Sequence, residues 1–501
     1  MNLRLFQNAW SNLLGAAVPA MAALATVPLV VAGLGEAGYG LYSLVTAIVG
    51  YFAVIDINVT AGSVKYIASQ HARGERERVA ATLCFGLAVY LLVGVAGAIG
   101  LFAGAQPLVT RVFAVPAALA NEAVACLRLA ALGFLFGQLQ GYLQSVPQAL
   151  MRFDVSGRIE MVFGALVPLS TVAVLLLGQG LFEVIALRVG ASLVHCLVLW
   201  RGVRRLLPDL RWRWPARTLR TDILGFSAYS FLSRFATLSY AHADKLIIGA
   251  LVGVTGLAYF TVAATLANRV LGLTFRLSGV FFPAASALAA RGELARLDRA
   301  YLKTTRYVVY LNAAMLVLLA VFSYPLLRLW MGEDFASNGA AVLALMALSQ
   351  FVDSLTNLPS LVNDGMGHPR VSGLFAVARA VAGLGIVYLG VAGWGIVGAA
   401  WGHLAASVVF TLAFLVVVHG RTVPTTLARL CVQGYLPGMG AAACVALVAG
   451  AAERWFDRSV ADFVLVTAMT AGLLACLGMA FVVDAPDRRW AWARVKALAG
   501  G

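Results

Sequence analysis

Apolar runs of about 20 residues recur from Leu13 to Val483, parted by short polar connections, and a helix of about 20 residues spans the hydrocarbon of a bilayer. Measured with that ruler, the chain predicts helices near 11–33, 39–61, 81–104, 120–145, 159–178 and 181–201. An Arg-rich break follows from Arg201 to Arg220. Further helices are predicted near 223–243, 256–286, 304–326, 339–361, 371–391, 395–418, 429–451 and 461–483. The expected fold class is all-α: a polytopic membrane protein with about 14 transmembrane helices. The connections are too short for an extramembrane catalytic domain, and no GxxxxGK[ST] phosphate loop occurs. An enzyme is not expected, so any function is housed among the helices.

Composition sharpens this reading. Hydrophobic residues make up 61% of the chain and charged residues 12%, about half the usual charged share of about 25%. That excludes a soluble enzyme, and the recurring apolar runs exclude disorder, collagen and coiled coil. A net charge of +15 would suit nucleic acid, but the placement of the basic residues explains it differently. With an even number of spans, 25 of the 37 Lys and Arg fall on the side that holds both termini and only five on the other. The positive-inside rule makes that side cytoplasmic. The expected arrangement is multi-pass in a membrane, with both termini cytoplasmic and no nucleic-acid partner. Nine of the ten Trp lie near span ends, Trp401 being the exception, as an interfacial aromatic belt requires. All six Cys sit in apolar segments without metal-ligand spacing and read as small core side chains. The N-terminal run from Leu13 to Leu34 is longer than a signal-peptide core and reads as an uncleaved first span.

The chain echoes itself. Ala72-Arg73-Gly74-Glu75 returns as Ala290-Arg291-Gly292-Glu293 at a shift of 218, and Gln138, Pro147 and Arg158 are echoed by Gln350, Pro359 and Arg370 at a shift of 212. Two six-helix bundles related by a pseudo-twofold axis are expected, plus two C-terminal helices. The corresponding segments are 1–205, a cytoplasmic Arg-rich linker at 206–222, 223–420, and 421–501 with the last two helices and a tail.

Charge inside a span is costly and usually faces a cavity or a partner. Arg234 and Arg269 lie deepest, Arg128, Arg188, Arg276 and Arg379 are intermediate, and Arg306 is near an edge. Ser227, Ser230, Arg234 and Thr237 fall on one helix face by their spacing. Similar polar stripes run through Arg128, Gln138, Tyr142 and Ser145, through Arg188, Ser192 and His195, and through Gln350, Asp353, Asn357 and Ser360. Asp56 and Asp353 are the clear intramembrane acids. They serve either in ion or proton coupling or as ion-pair partners, and the sequence leaves both open. The interior is net positive, which suits an anionic substrate such as a pyrophosphate, because arginine carries a permanent charge and a fork of donors.

Several segments carry a family resemblance: GLGEAGYGLYSLV (Gly33 to Val45), Asp56 ahead of a basic turn ending KYIASQHARGE, ADKLIIGALVGVTGLAYFTVA (Ala243 to Ala263), WMGEDFASNGA and VNDGMGHPR. In their order and in the fourteen-span layout, the chain resembles the bacterial polysaccharide transporter family. These are the O-antigen and exopolysaccharide flippases of the multidrug/oligosaccharidyl-lipid/polysaccharide exporter superfamily. Asn58 stands where that family commonly has Gly. The resemblance implies a V-shaped pair of bundles around a cationic cavity, moving an undecaprenyl-pyrophosphate-linked oligosaccharide to the periplasmic leaflet by alternating access. It implies partners in the lipid bilayer and in the polysaccharide polymerase and chain-length machinery. No cofactor is expected; coupling to an H+ or Na+ gradient or to the membrane potential is a further expectation that the resemblance raises. On this reading Arg234 and Arg269 hold the pyrophosphate, Arg128, Arg188, Arg276 and Arg379 assist, and Ser230, Thr237, Gln138, Gln350 and Asn357 line the cavity.

Other functions remain open from sequence. A multidrug antiporter of the same superfamily is disfavoured by the positive interior, and a glycan polymerase or ligase by the lack of catalytic loops. A lipid II or teichoic-acid precursor flippase would share the same cavity logic.

Overall fold

The computed structural model describes residues 3–52, 59–150, 152–208, 212–278, 281–453 and 460–489. These residues are helical almost throughout, with no strand among them. The helices are α1 (Leu3–Phe52), α2 (Val59–Ala72), α3 (Arg76–Pro107), α4 (Ala117–Ala149), α5 (Phe153–Leu176), α6 (Leu181–Leu206) and α7 (Arg217–Leu251). They continue as α8 (Val254–Ser278), α9 (Phe281–Ala290), α10 (Leu294–Val321), α11 (Ser323–Met331), α12 (Glu333–Ser354) and α13 (Asn357–Gly365). Next come α14 (Pro369–Arg421), the single turn α15 (Leu427–Arg429), α16 (Leu436–Glu453) and α17 (Val460–Leu477).

The backbone divides where the hydropathy pattern predicted. Helix α1 kinks at Gly35 (φ 72°, ψ 169°), between the first two predicted spans. Helix α14 kinks at Trp394–Gly395, between the eleventh and twelfth. The layout agrees with the fourteen predicted spans. Ten helices among the described residues are long and apolar enough to cross a membrane, with α14 counted once. Helices overrun the predicted apolar stretches at polar ends, as α7 does from Arg217, because helical hydrogen bonding continues where hydrophobicity stops. Leu92, Leu176, Leu389 and Phe481 are 69–80% exposed. Such surfaces are disfavoured in water and suit lipid contact. Small residues let the backbones close up: Gly390 meets the backbone of Gly398, and Gly40 lies against the Val254 carbonyl, where a Cβ would collide.

The first sequence echo is also a structural one. Gly74 and Gly292 both adopt left-handed backbone, with φ 73° and 70°, a conformation that only glycine enters without steric cost. In each turn the glutamate N–H reaches back to a helix carbonyl, Glu75 to Gln70 at 2.9 Å and Glu293 to Leu288 at 3.0 Å. Each glutamate then pairs with the arginine three residues on, Arg78 at 3.0 Å and Arg296 at 2.6 Å. The second echo falls on different local structure: Gln138 and Pro147 lie within the continuous helix α4, whereas Gln350 is in α12 and Pro359 in α13.

Contacts separate the chain into two units, Met1–Thr261 and Val262–Gly501, with the boundary inside α8. In the first, α4 packs on α3 and α6, α1 on α5, and α7 on α1 and α2. Helix α7 therefore belongs to the first unit by contact although it follows the Arg-rich stretch. In the second, α10 packs on α12 and α16, α12 on α11 and α14, and α9 on α13.

Candidate functional site

In the first unit α4 presents a polar face to a cavity of 530 Å³. Gly133, Gly137 and Gly141 recur every four residues and so share one helix face. A Cβ at Gly137 or Gly141 would meet nothing within 4 Å, which leaves that face open. Gln138, Gln140, Gln144, Ser145 and Gln148 surround the glycines. Thr60 of α2 and Tyr90 of α3 close another wall, their hydroxyls 2.7 Å apart. Glu160 of α5 and His195 of α6 complete it, and Gln144 Nε2 donates to the Ser156 carbonyl at 3.1 Å and to Glu160 at 3.4 Å. Gln138 Nε2, Gln144 Oε1 and His195 Nε2 are buried without a hydrogen-bond partner among the described residues.

A second cavity of 310 Å³ shares Gln140, Glu160 and His195 with the first and adds Arg188 and Ser192. The predicted Arg188–Ser192–His195 stripe is thus brought to one wall. His195 stacks on Phe163, with ring centroids 4.2 Å apart. Arg188 is exposed, donates to the Tyr42 hydroxyl at 2.6 Å and lies 5.5 Å from that ring's centroid. The stripe on α4 divides. Gln138, Tyr142 and Ser145 reach the larger cavity, while Arg128, several turns away, is exposed beside the Phe102 ring at 5.3 Å.

In the second unit Arg379 of α14 donates to Asp353 of α12 at 2.5 Å and to Ser407 at 3.1 Å. Ser407 in turn meets Ser349 at 2.8 Å. Asp353 is therefore an ion-pair partner here, and Arg379 is largely neutralised. Helix α12 ends at Ser354 and α13 begins at Asn357, so Gln350, Asp353, Asn357 and Ser360 do not lie on one continuous helix as their spacing implied. The break is closed locally, Thr356 giving both its N–H and its hydroxyl to the Asp353 carbonyl at 3.0 and 2.7 Å. Gln350 and Asn357 are partly buried beside it.

Arg269, near the middle of the α8–α9 stretch, is exposed and makes no ion pair among the described residues. Asp56 and the side chains of Arg234, Arg276, Ser230 and Thr237 lie outside the described residues. Arg306, predicted near a span edge, pairs with Asp484.

Two of the segments that carried the resemblance meet in space. Glu36 of GLGEAGYG accepts from the Tyr259 hydroxyl at 2.5 Å, and Gly40 abuts Val254. VNDGMGHPR is a structural clasp. Asn363, fully buried, donates to Asp364 at 3.0 Å, to the His368 carbonyl at 2.8 Å and to Ser372 at 3.1 Å, and it accepts from Thr422 at 2.7 Å.

Sequence reading missed Gln140, Gln144, Gln148 and Glu160. The glutamines at 140, 144 and 148 fall at helical spacing beside the glycines at 137 and 141, and that was the available signal. Nothing in the sequence signalled that Glu160, from the next helix, would join them.

A profile of the polysaccharide biosynthesis protein family matches residues 34–340. The chain is 20% identical over 405 residues to a Shigella flexneri protein provisionally assigned as an O-antigen transporter, covering 79% of this chain and 94% of that one. It is 22% identical over 338 residues to the uncharacterized membrane protein EpsK of Bacillus subtilis (strain 168), 66% of each chain. Among solved structures, the lipid II flippase MurJ in an inward closed conformation aligns with a TM-score of 0.71 at 12% identity, covering 95% of this chain and 98% of that one. An inward-facing multidrug resistance MATE family transporter of the MOP superfamily aligns with a TM-score of 0.69 at 16% identity, covering 84% and 98%. The fold is that of these membrane transporters, and the chain belongs to the polysaccharide biosynthesis protein family.

Proposed function

We propose that the protein is a flippase that carries a polyprenyl-pyrophosphate-linked oligosaccharide from the cytoplasmic to the periplasmic leaflet of a bacterial inner membrane, by alternating access of its two helix bundles. The observation that carries this reading is Arg269: a permanent cation midway along the eighth predicted span, exposed and with no ion pair among the described residues. An arginine so placed favours an anion, and it suits the oxygens of a pyrophosphate better than a lysine would. Arg379, by contrast, already has Asp353. Arg234 and Arg276 join Arg269 in this reading, with Arg128 and Arg188 as the assisting cations. Membership of the polysaccharide biosynthesis family supports a glycan-bearing cargo. Both termini are cytoplasmic in this scheme, as the distribution of basic residues requires.

The test uses a deletion strain of the source bacterium, in which lipid-linked oligosaccharides are extracted and their leaflet is read with an impermeant periplasmic probe. Complete repeat units should accumulate shielded from the probe, and wild-type protein should relieve this. Arg269→Glu should abolish relief at unchanged protein level, because the side chain supports no ion pair in the described fold. Full relief by Arg269→Glu would overturn the assignment of that residue. An unchanged lipid-linked pool with altered tolerance to cationic dyes would instead point to drug export.

A further inference from the structure

Among the described residues the 530 Å³ cavity against α4 has no lysine or arginine in its wall, so those residues give it no cation for the pyrophosphate assigned above. Its volume is that of a small-molecule site, within about 300–1,000 Å³. Its chemistry is specific. Gln138 is 8% exposed and His195 7%, and Gln138 Nε2 and His195 Nε2 lack partners among the described residues, as does Gln144 Oε1. Buried polar groups are nearly always satisfied, so three orphans on one cavity point to a ligand that supplies both donors and acceptors. The open faces of Gly137 and Gly141 leave a flat wall between the glutamines. A lipid tail would leave those amides unpaired, and an anion would face the Glu160 carboxylate in the wall.

We propose that this cavity is a subsite for an uncharged sugar ring, whose hydroxyls accept from Gln138, donate to Gln144 and pair with His195. The inference rests on the flippase reading for its cargo but on none of that reading's arginines. The cavity lies in the half of α4 that leads to the α4–α5 turn. In the proposed topology that is the cytoplasmic half, where a glycan would enter.

The test uses the full-length protein in lipid nanodiscs and saturation-transfer NMR with the methyl glycosides of glucose, galactose, rhamnose and N-acetylglucosamine. At least one should receive saturation, and Gly141→Leu, whose side chain projects into the cavity, should weaken that signal at least about tenfold. Gln138→Leu, which removes one donor without filling space, should also weaken it while leaving the melting temperature within that of the parent. Saturation of none of the four glycosides overturns the proposal, as does undiminished transfer in both variants. A parallel titration with inorganic pyrophosphate, read by phosphorus NMR in wild type and Arg269→Ala, separates the two readings. Glycoside binding sensitive to Gly141→Leu but with no Arg269-dependent pyrophosphate binding keeps the sugar subsite and removes the arginine assignment. The opposite pattern removes the subsite alone.

Discussion

Arg379 and Asp353 lie on different helices, 2.5 Å apart, and the same guanidinium nitrogen also reaches Ser407. Their side chains are 23% and 20% exposed, so the pair is largely removed from water. Removing one partner of such a pair leaves an uncompensated charge, which costs about 3–5 kcal/mol when burial is complete, while replacing both with apolar groups of similar volume is close to neutral. Asp353→Ala should therefore lower the melting temperature of the purified protein, and Asp353→Leu with Arg379→Met should restore most of it. If the double variant is stable but inactive in the leaflet assay, Asp353 also serves transport. If Asp353→Ala melts with the parent, the pair contributes no net stability.

At Gly40 the chain leaves no room for a side chain, because a Cβ would run into the Val254 carbonyl. Gly40→Ala should lose more stability than Gly137→Ala, whose Cβ meets nothing within 4 Å. Overpacking of this kind costs about 1–3 kcal/mol. Comparing the melting temperatures of the two variants isolates the contact between the GLGEAGYG segment and the start of α8. Since helix propensity favours alanine at both positions, equal melting temperatures would show that the contact does not decide the outcome.

Asn363→Leu should be among the most destabilising single changes in the second unit. It removes the donor and acceptor that join α13, the turn to α14 and the end of α14 at Thr422. Each buried group left unpaired costs about 1–3 kcal/mol. Protein abundance in membranes and the melting temperature should both fall. Asn363→Asp keeps the acceptor but forfeits the donated bonds and adds a charge beside Asp364, so it should not rescue.

The segment after α17 is tied to α10 by charge. Lys303 meets Asp487 at 2.6 Å, and the Tyr307 hydroxyl donates to the same carboxylate at 2.7 Å. The Lys303 hydrogen bond first, and the Tyr307 hydroxyl second, hold the Asp487 carboxyl below its ordinary pKa. A lowered folded-state pKa means the stabilisation is complete above about 4, the unfolded value, and is lost as pH falls through the lower folded one. The protection of amides 484–489 against hydrogen exchange, relative to their intrinsic rates, should thus be high at neutral pH and fall below that range. Lys303→Met should make exchange faster at neutral pH and flatten the acid response. An unchanged profile in Lys303→Met would show that the ion pair does not anchor the segment. The docking should also weaken in high salt, since the groups are partly exposed.

The number and order of helices were legible in the sequence because bilayer thickness imposes one length on every span and leaves an apolar run as its trace. The likeness of the turns at Gly74 and Gly292 was legible too, as a repeated Ala-Arg-Gly-Glu motif whose glutamate N–H bonds the carbonyl five residues back. Which charges are neutralised was not. Arg379 and Asp353 are on separate helices, and no periodicity along one helix can register a contact across two. The same holds for Asn363, whose chemistry is polar in sequence but structural in place. Helical spacing found half of the cavity wall, from Gln138 to Ser145. Glu160 and His195 entered it only through the packing of α5 and α6 on α4. The sequence by itself determined an all-helical membrane protein with an internal echo, because hydrophobic length and local turn chemistry act within a segment. Tertiary structure alone decided which polar groups are spent on one another and which face open space, because that depends on helices brought together from distant parts of the chain.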